Sequence, residues 1–162
     1  MQFIKCVQCI SKVETTLTTD TTFHFLLATI VSAPSTDKPV NLVTPALFPR
    51  SPQLLAKAEP EYVEPFIQSL GLYHNKAKYL VNVEREIITN FNGEIPHIMK
   101  ELTRLTGGGR KVANFVLAEY FHILAFPVDT PVSRIARCLG MVKPNATVLQ
   151  IEKATTESCS ES

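Results

Sequence analysis

From Phe23 to Val31 the chain is almost wholly apolar. A helix without a polar face is a buried one, so this segment predicts a central core helix. The threonine-rich run from Thr15 to Thr22 ahead of it is poor helix material. It reads as a connector whose last members can cap the helix. Ala33–Pro34–Ser35–Thr36–Asp37 ends the apolar run. Thr36 or Asp37 can cap a second helix through Leu47, with Pro39 in its first turn and Pro45 placed to kink it. Pro49–Arg50–Ser51–Pro52 is a turn, and Ser51 followed by Pro52 opens a helix over Gln53 to Ala58. Another begins at Pro60 and ends at Gly71, a C-terminal glycine. Asn75 to Asn90 is a long helix whose apolar positions are Ala77, Leu80, Val81, Val83, Ile87 and Ile88. Asn92–Gly93 is a turn. Ile98, Met99, Leu102 and Leu105 line one further helix, Val112 to Phe121 form the next, and Thr130 to Leu139 follow, capped by Asp129 or Thr130. No segment sustains strand alternation. The expected fold is all-α, with seven or eight short helices. The tail from Lys153 is small and polar and is expected to fray.

Length and composition narrow the class. A chain of 162 residues, 45% hydrophobic, can bury a core as one domain or as one domain plus a fragment of another. The formal net charge is only +1, yet Arg104, Arg110, Lys111, Arg134, Arg137 and Lys143 share one stretch in which Glu119 and Asp129 are the only acids. That basic half suits phosphate, although a solvated helix face would look the same. No apolar run reaches membrane-spanning length. The N-terminal apolar stretch is too short for a secretory signal, so an intracellular protein is expected. Cys6 and Cys9 form a single C-x-x-C. Cys138 and Cys159 supply no second pair at metal spacing, so no metal site is expected.

The residues that bear chemistry lie at Thr103–Arg104–Leu105–Thr106–Gly107–Gly108–Gly109–Arg110–Lys111–Val112–Ala113–Asn114, followed by Pro127–Val128–Asp129–Thr130. A glycine turn opens a helix, and the exposed N–H groups of such a helix start suit a phosphate. Lys111 on the first turn can act as a cation or as an amine nucleophile. Asp129 can cap the next helix or stabilise positive charge that develops on a substrate. An attacking amine must be neutral, which burial near other cations favours.

Together these segments resemble the helix–hairpin–helix core of the endonuclease III family of DNA glycosylases. The family pattern there is roughly L-P-G-V-G-R-K-T-A, then V-D-T-H-V-x-R. The likeness extends back through Phe91–Asn92–Gly93–Glu94–Ile95–Pro96, Gly71–Leu72–Tyr73–His74–Asn75–Lys76–Ala77 and Leu26–Leu27–Ala28–Thr29–Ile30–Val31–Ser32–Ala33, covering roughly residues 20 to 142. The resemblance implies an N-terminal arm (1–20), a helical domain (21–128) with its hairpin at about 98–121, and the remnant of a second lobe with its tail (129–162). It implies Lys111 as nucleophile and Asp129 as the essential carboxylate. Gly107 and Gly109 would hold a DNA phosphate through backbone N–H groups, beside Arg110. Leu72 would be a wedge that fills the gap left by an extruded base, and Ser35 would lie in the loop that enters the duplex. The expected activity is removal of oxidised pyrimidines and β-elimination at abasic sites. The expected partner is double-stranded DNA with damaged or abasic sites, bound by a monomer, in the cytoplasm of a bacterium or the nucleus or an organelle of a eukaryote.

The chain also departs from that family. Pro34 stands where a polar side chain commonly faces the orphaned base. Thr106 replaces a proline, Gly108 an aliphatic residue expected between the hairpin helices, and Pro131 a histidine. No four-cysteine run follows Met141, so no iron–sulfur cluster is expected, and the second lobe should be incomplete. A relative that only binds DNA is the alternative. A monofunctional adenine glycosylase is a weaker third reading, since that relative generally lacks the lysine.

Overall fold

The computed structural model describes residues 22–32, 40–43 and 52–160, and every regular element among them is helical. The elements are α1 (Thr22–Ser32), a short helical stretch at 40–43, α2 (Pro52–Lys57), α3 (Pro60–Ile67), α4 (Tyr73–Phe91), α5 (Met99–Leu102), α6 (Arg110–Glu119), α7 (Thr130–Cys138) and α8 (Val148–Ser160). The all-α expectation holds. The expectations for Thr15 to Thr21, the loop from Ala33 to Pro39, Pro45 and Ser51 lie outside the described residues.

As its composition predicts, α1 is the core helix. Leu26, Ala28 and Val31 are buried, each Leu or Val worth roughly 1.5–3 kcal/mol of transfer free energy. It packs on α4 and α6, where Phe25 stacks on Phe115 with ring centroids 5.5 Å apart. α4 presents Ala77, Leu80, Val81, Val83 and Ile87 to this core and lies against α2 and α3. Its exposed Arg85 donates from Nε to the Ala56 carbonyl at 2.7 Å and from Nη2 to the Ala58 carbonyl at 2.9 Å. Those bonds satisfy carbonyls at the end of α2 that have no helical partner. α4 ends at Asn92 and Gly93, both left-handed (φ 54° and 86°), with the Gly93 N–H on the Ile87 carbonyl. This is the closure an Asn–Gly pair favours.

Three local expectations change. Gly71 is not the left-handed residue after α3. That helix stops at Ile67, the Leu70 N–H bonds the Ile67 carbonyl at 2.9 Å, and the reversal falls on Leu72 (φ 59°). The Leu72 carbonyl then opens α4 by accepting from Asn75 and Lys76. α5 is a single turn rather than a helix reaching Leu105, and the Thr103 hydroxyl donates back to the Met99 carbonyl at its end. The tail does not fray at Lys153, because α8 continues to Ser160. Thr147 and Gln150 form a reciprocal cap: the Thr147 N–H donates to Gln150 Oε1 at 2.8 Å, and the Gln150 N–H to Thr147 Oγ1 at 3.3 Å. Ile151 of α8 is fully buried in a second, smaller cluster with Val128, Ala136 and Ala146.

Among the described residues the main core contains one acid. Glu84 is fully buried, and neither carboxyl oxygen has a hydrogen-bond partner. Leu27, Leu55, Val63, Leu80 and Val81 line the small cavity it faces, so α1, α2, α3 and α4 all offer it apolar atoms and no charge. Burial pushes its carboxyl up from 4.5 to about 9. The folded state therefore keeps a proton that the unfolded chain releases. The contribution of this group to stability is therefore fully present below pH 4.5, is lost as pH rises, and levels off above about 9. Glu84→Gln should flatten that decline and be more stable than the parent by about 2 kcal/mol at pH 8. Urea unfolding at pH 5, 7 and 9 measures this, and parallel pH profiles for the two proteins would exclude it.

Candidate nucleic-acid interface at the glycine hairpin

α5 and α6 are joined by a turn in which the Gly108 N–H donates to the Leu105 carbonyl at 2.8 Å. Gly107 holds the third position with φ +77°, the left-handed geometry of a type II turn. A Cβ on Gly107 would also meet Ile30 Cγ2 of α1 at 2.8 Å. Gly108 is buried, and a Cβ there would collide with the Leu102 carbonyl oxygen and lie 3.0 Å from that of Leu105. No space exists between the helices for the aliphatic side chain that the family pattern places here. Gly109 differs from both. Its φ is −57°, it is exposed, and a Cβ would meet nothing within 4 Å. Neither backbone conformation nor internal packing demands glycine at 109.

Gly109 is the N-cap of α6 and no side chain caps that helix. Its first N–H groups therefore remain available, at the positive end of the helix dipole. The turn is gripped from α4: Glu86 Oε2 accepts from the Thr106 N–H at 2.7 Å, and Glu86 Oε1 from the Thr106 hydroxyl at 2.6 Å. A proline at 106 would have neither donor.

Lys111, on the first turn of α6, places Nζ 3.4 Å from Asp129 Oδ2. The other carboxylate oxygen, Oδ1, accepts from the Val132 N–H at 2.9 Å and caps α7. The two readings of Asp129 thus fall on different oxygens of one carboxylate. Pro131 sits in that first turn, where a missing N–H costs little. Lys111 is 55% exposed and Asp129 34%, so the lysine is not buried among cations. Its neighbours are a carboxylate and solvent.

Arg110 is paired with an acid of α8. Nε donates to Glu152 Oε2 at 2.9 Å and Nη2 to Glu152 Oε1 at 2.6 Å, a bidentate pair joining α6 to α8. The hydrogen bond to Glu152 raises the guanidinium above its ordinary value. Arg137 donates to the Ala146 carbonyl. Arg104, Arg134 and Lys143 are exposed and have no ion-pair partner among the described residues. Leu72 lies on the turn before α4 and is 66% exposed. Ser35 lies outside the described residues. Glu86 and Glu152 escaped sequence reading. Glu152 stands behind a recognisable signal, Thr147-x-x-Gln150, while nothing local marks Glu86.

Among the described residues no cluster of His, Cys, Asp and Glu is placed to hold a metal ion, and Cys138 is an exposed free thiol. No described helix is long and apolar enough to cross a membrane.

Endonuclease III of Synechocystis sp. is 47% identical over 126 residues, 76% of this chain and 58% of the relative. Endonuclease III of Bacillus subtilis is 38% identical over 133 residues, 81% of this chain and 61% of the relative. The chain thus spans about three fifths of the length of these relatives. Among solved structures, a trapped endonuclease III–DNA covalent intermediate superposes with a TM-score of 0.86 at 32% identity, covering 98% of this chain and 81% of that one. Residues 27–161 match the family described as HhH-GPD superfamily base excision DNA repair protein, and the chain belongs to that family.

Proposed function

We propose that this chain is a base excision repair enzyme, a DNA glycosylase with lyase activity at abasic sites. The observation that carries the reading is the pair Lys111 and Asp129, held 3.4 Å apart at the opening of the hairpin helix. Loss of a damaged base leaves positive charge on the sugar, which the outward oxygen of Asp129 stabilises. Lys111 attacks the same sugar carbon as the neutral amine after giving its proton to solvent, the bond from that carbon to the ring oxygen breaks to leave an iminium, and the iminium acidifies the neighbouring C–H so that the 3′ phosphate leaves by β-elimination. Both groups come from the chain itself, so the reaction needs no cofactor. The substrate is double-stranded DNA with oxidised pyrimidines or abasic sites, bound by a monomer, with exposed Leu72 as the wedge. Incubation with abasic duplex and borohydride tests the lyase reading. A covalent protein–DNA adduct is expected, and its absence would remove the lyase step, leaving a monofunctional glycosylase or a module that only binds DNA.

The duplex is held through the open start of α6. Glycine at 109 is required by neither the fold nor its own backbone angles, so its use there reflects close approach by something outside the protein. Gly109→Ala should leave thermal stability unchanged or slightly higher and weaken duplex binding about ten-fold, because the added methyl stands between phosphate and helix. With Arg110 and Arg137 engaged internally, binding rests on few cations. The log–log salt dependence should have a slope of about −3. Fluorescence anisotropy at several salt concentrations reads both, and a zero slope would exclude duplex DNA as partner.

A further inference from the structure

We propose that Glu86 is a positioning residue for the hairpin, holding the Thr106–Gly109 backbone in the geometry that receives a phosphate; this rests on the hairpin reading above. The second position of a type II turn favours proline, whose ring fixes φ in advance. Here that position is Thr106, directly before Gly107 with its φ of +77°. Threonine brings no such restriction, and three consecutive glycines follow it. The freedom is removed from outside the turn. Both oxygens of Glu86 take donors of Thr106, the N–H at 2.7 Å and the hydroxyl at 2.6 Å. These are two charge-assisted bonds to one residue from one carboxylate.

Glu86 can do this because its helix is firmly placed. On the buried side of α4, Val83 and Ile87 are fully enclosed, while Glu86 is half-buried at the edge of that face. The turn is consequently clamped at two points. Glu86 holds it from α4, and Ile30 of α1 abuts Gly107. Gly109, one step further on, has open space before it. Both carboxylate oxygens are occupied by donors, which limits the repulsion this acid would exert on a nearby phosphate. Glu86 and Thr106 thus form a functional pair that replaces the ring of a proline. Glu86 acts on the hairpin backbone and touches no reacting atom.

The pairing gives a test that a simple loss of packing or charge would not reproduce. Glu86→Ala should weaken binding to a duplex carrying a tetrahydrofuran abasic analogue about ten-fold. Glu86→Gln should bind like the parent, because its amide can accept from the Thr106 N–H and donate to the hydroxyl. If Glu86 acted only through its charge, Glu86→Gln would instead bind DNA more tightly, and that result would overturn the proposal. In a Thr106→Pro background the ring fixes the turn and Glu86 has no donors to hold, so adding Glu86→Ala should change affinity less than two-fold. An equal loss in both backgrounds would also overturn it.

Amide hydrogen exchange of the free protein separates this inference from the DNA reading. The Gly108 N–H, bonded to the Leu105 carbonyl, should exchange about ten-fold faster in Glu86→Ala and recover in the double variant. Unchanged Gly108 protection would sink the positioning role whatever the DNA result. Loosened Gly108 together with a parent protein that does not bind duplex would support the clamp and remove the phosphate reading alone.

Discussion

Lys111→Ala is expected to abolish borohydride trapping and strand cleavage on abasic DNA while leaving duplex affinity within about three-fold of the parent. The separation follows from the surroundings of the side chain. Lys111 is more than half exposed and has a single partner among the described residues, Asp129 Oδ2 at 3.4 Å. An exposed pair of this kind contributes little to folding, and alanine suits the first turn of α6 as a helix former. Asp129 stays in place without it, since Oδ1 remains bonded to the Val132 N–H. Only the amine is lost. Lys111→Arg separates nucleophile from charge: it should hold DNA and still fail to trap. Asp129→Asn completes the test, because asparagine is an equally good N-cap but carries no charge. It should keep the stability of α7, lose base excision, and still trap on DNA that is already abasic. Trapping by Lys111→Ala at the parent yield would place the reactive amine elsewhere in the chain.

The second large effect is structural. Gly108→Val restores the aliphatic character of the family pattern and should destabilise this protein by at least about 4 kcal/mol, enough to unfold a marginal domain. The obstacle is backbone rather than side chain, since the first added carbon meets the Leu102 carbonyl oxygen. A carbonyl that ends α5 cannot retreat without moving the turn, and the turn is clamped by Glu86 and Ile30. Gly109→Val is the matched control, identical in chemistry with open space in place of the obstruction. Thermal unfolding of the two side by side decides the point. Equal melting temperatures would show that the hairpin adjusts freely at 108.

What could be read from the sequence was local. α1 announced itself by an almost wholly apolar run, α4 by helical periodicity closed with Asn–Gly, and α7 by Asp129 before Thr130–Pro131. Each signal is contained within a turn or two of chain. The hairpin was legible for the same reason, since Gly107 to Lys111 are contiguous. What escaped depended on partners distant in sequence. Glu86 meets Thr106, and Arg110 meets Glu152, with no spacing rule to join them. Arg110 looked available to DNA because no helix was read in the stretch from Val148 that carries Glu152. Its small residues concealed Ile151 as an anchor, and the Thr147–Gln150 cap passed unread. The left-handed Leu72 in place of Gly71 has a different cause. The composition of a turn signals that the chain reverses, whereas neighbouring hydrogen bonds decide which residue takes the positive φ.

The packing of α1 against α6 has a consequence for synthesis of the chain. The most apolar helix emerges early from the ribosome, and the surface that covers Phe25 is supplied by Phe115, roughly 90 residues later. At synthesis rates of about 5–20 residues per second, α1 waits on the order of ten seconds for its partner. Throughout that interval a run with no polar face is exposed to other chains and to chaperones. The same helix supplies Ile30 against the Gly107 turn, so a partly made chain has a sticky helix but no hairpin able to grip a phosphate.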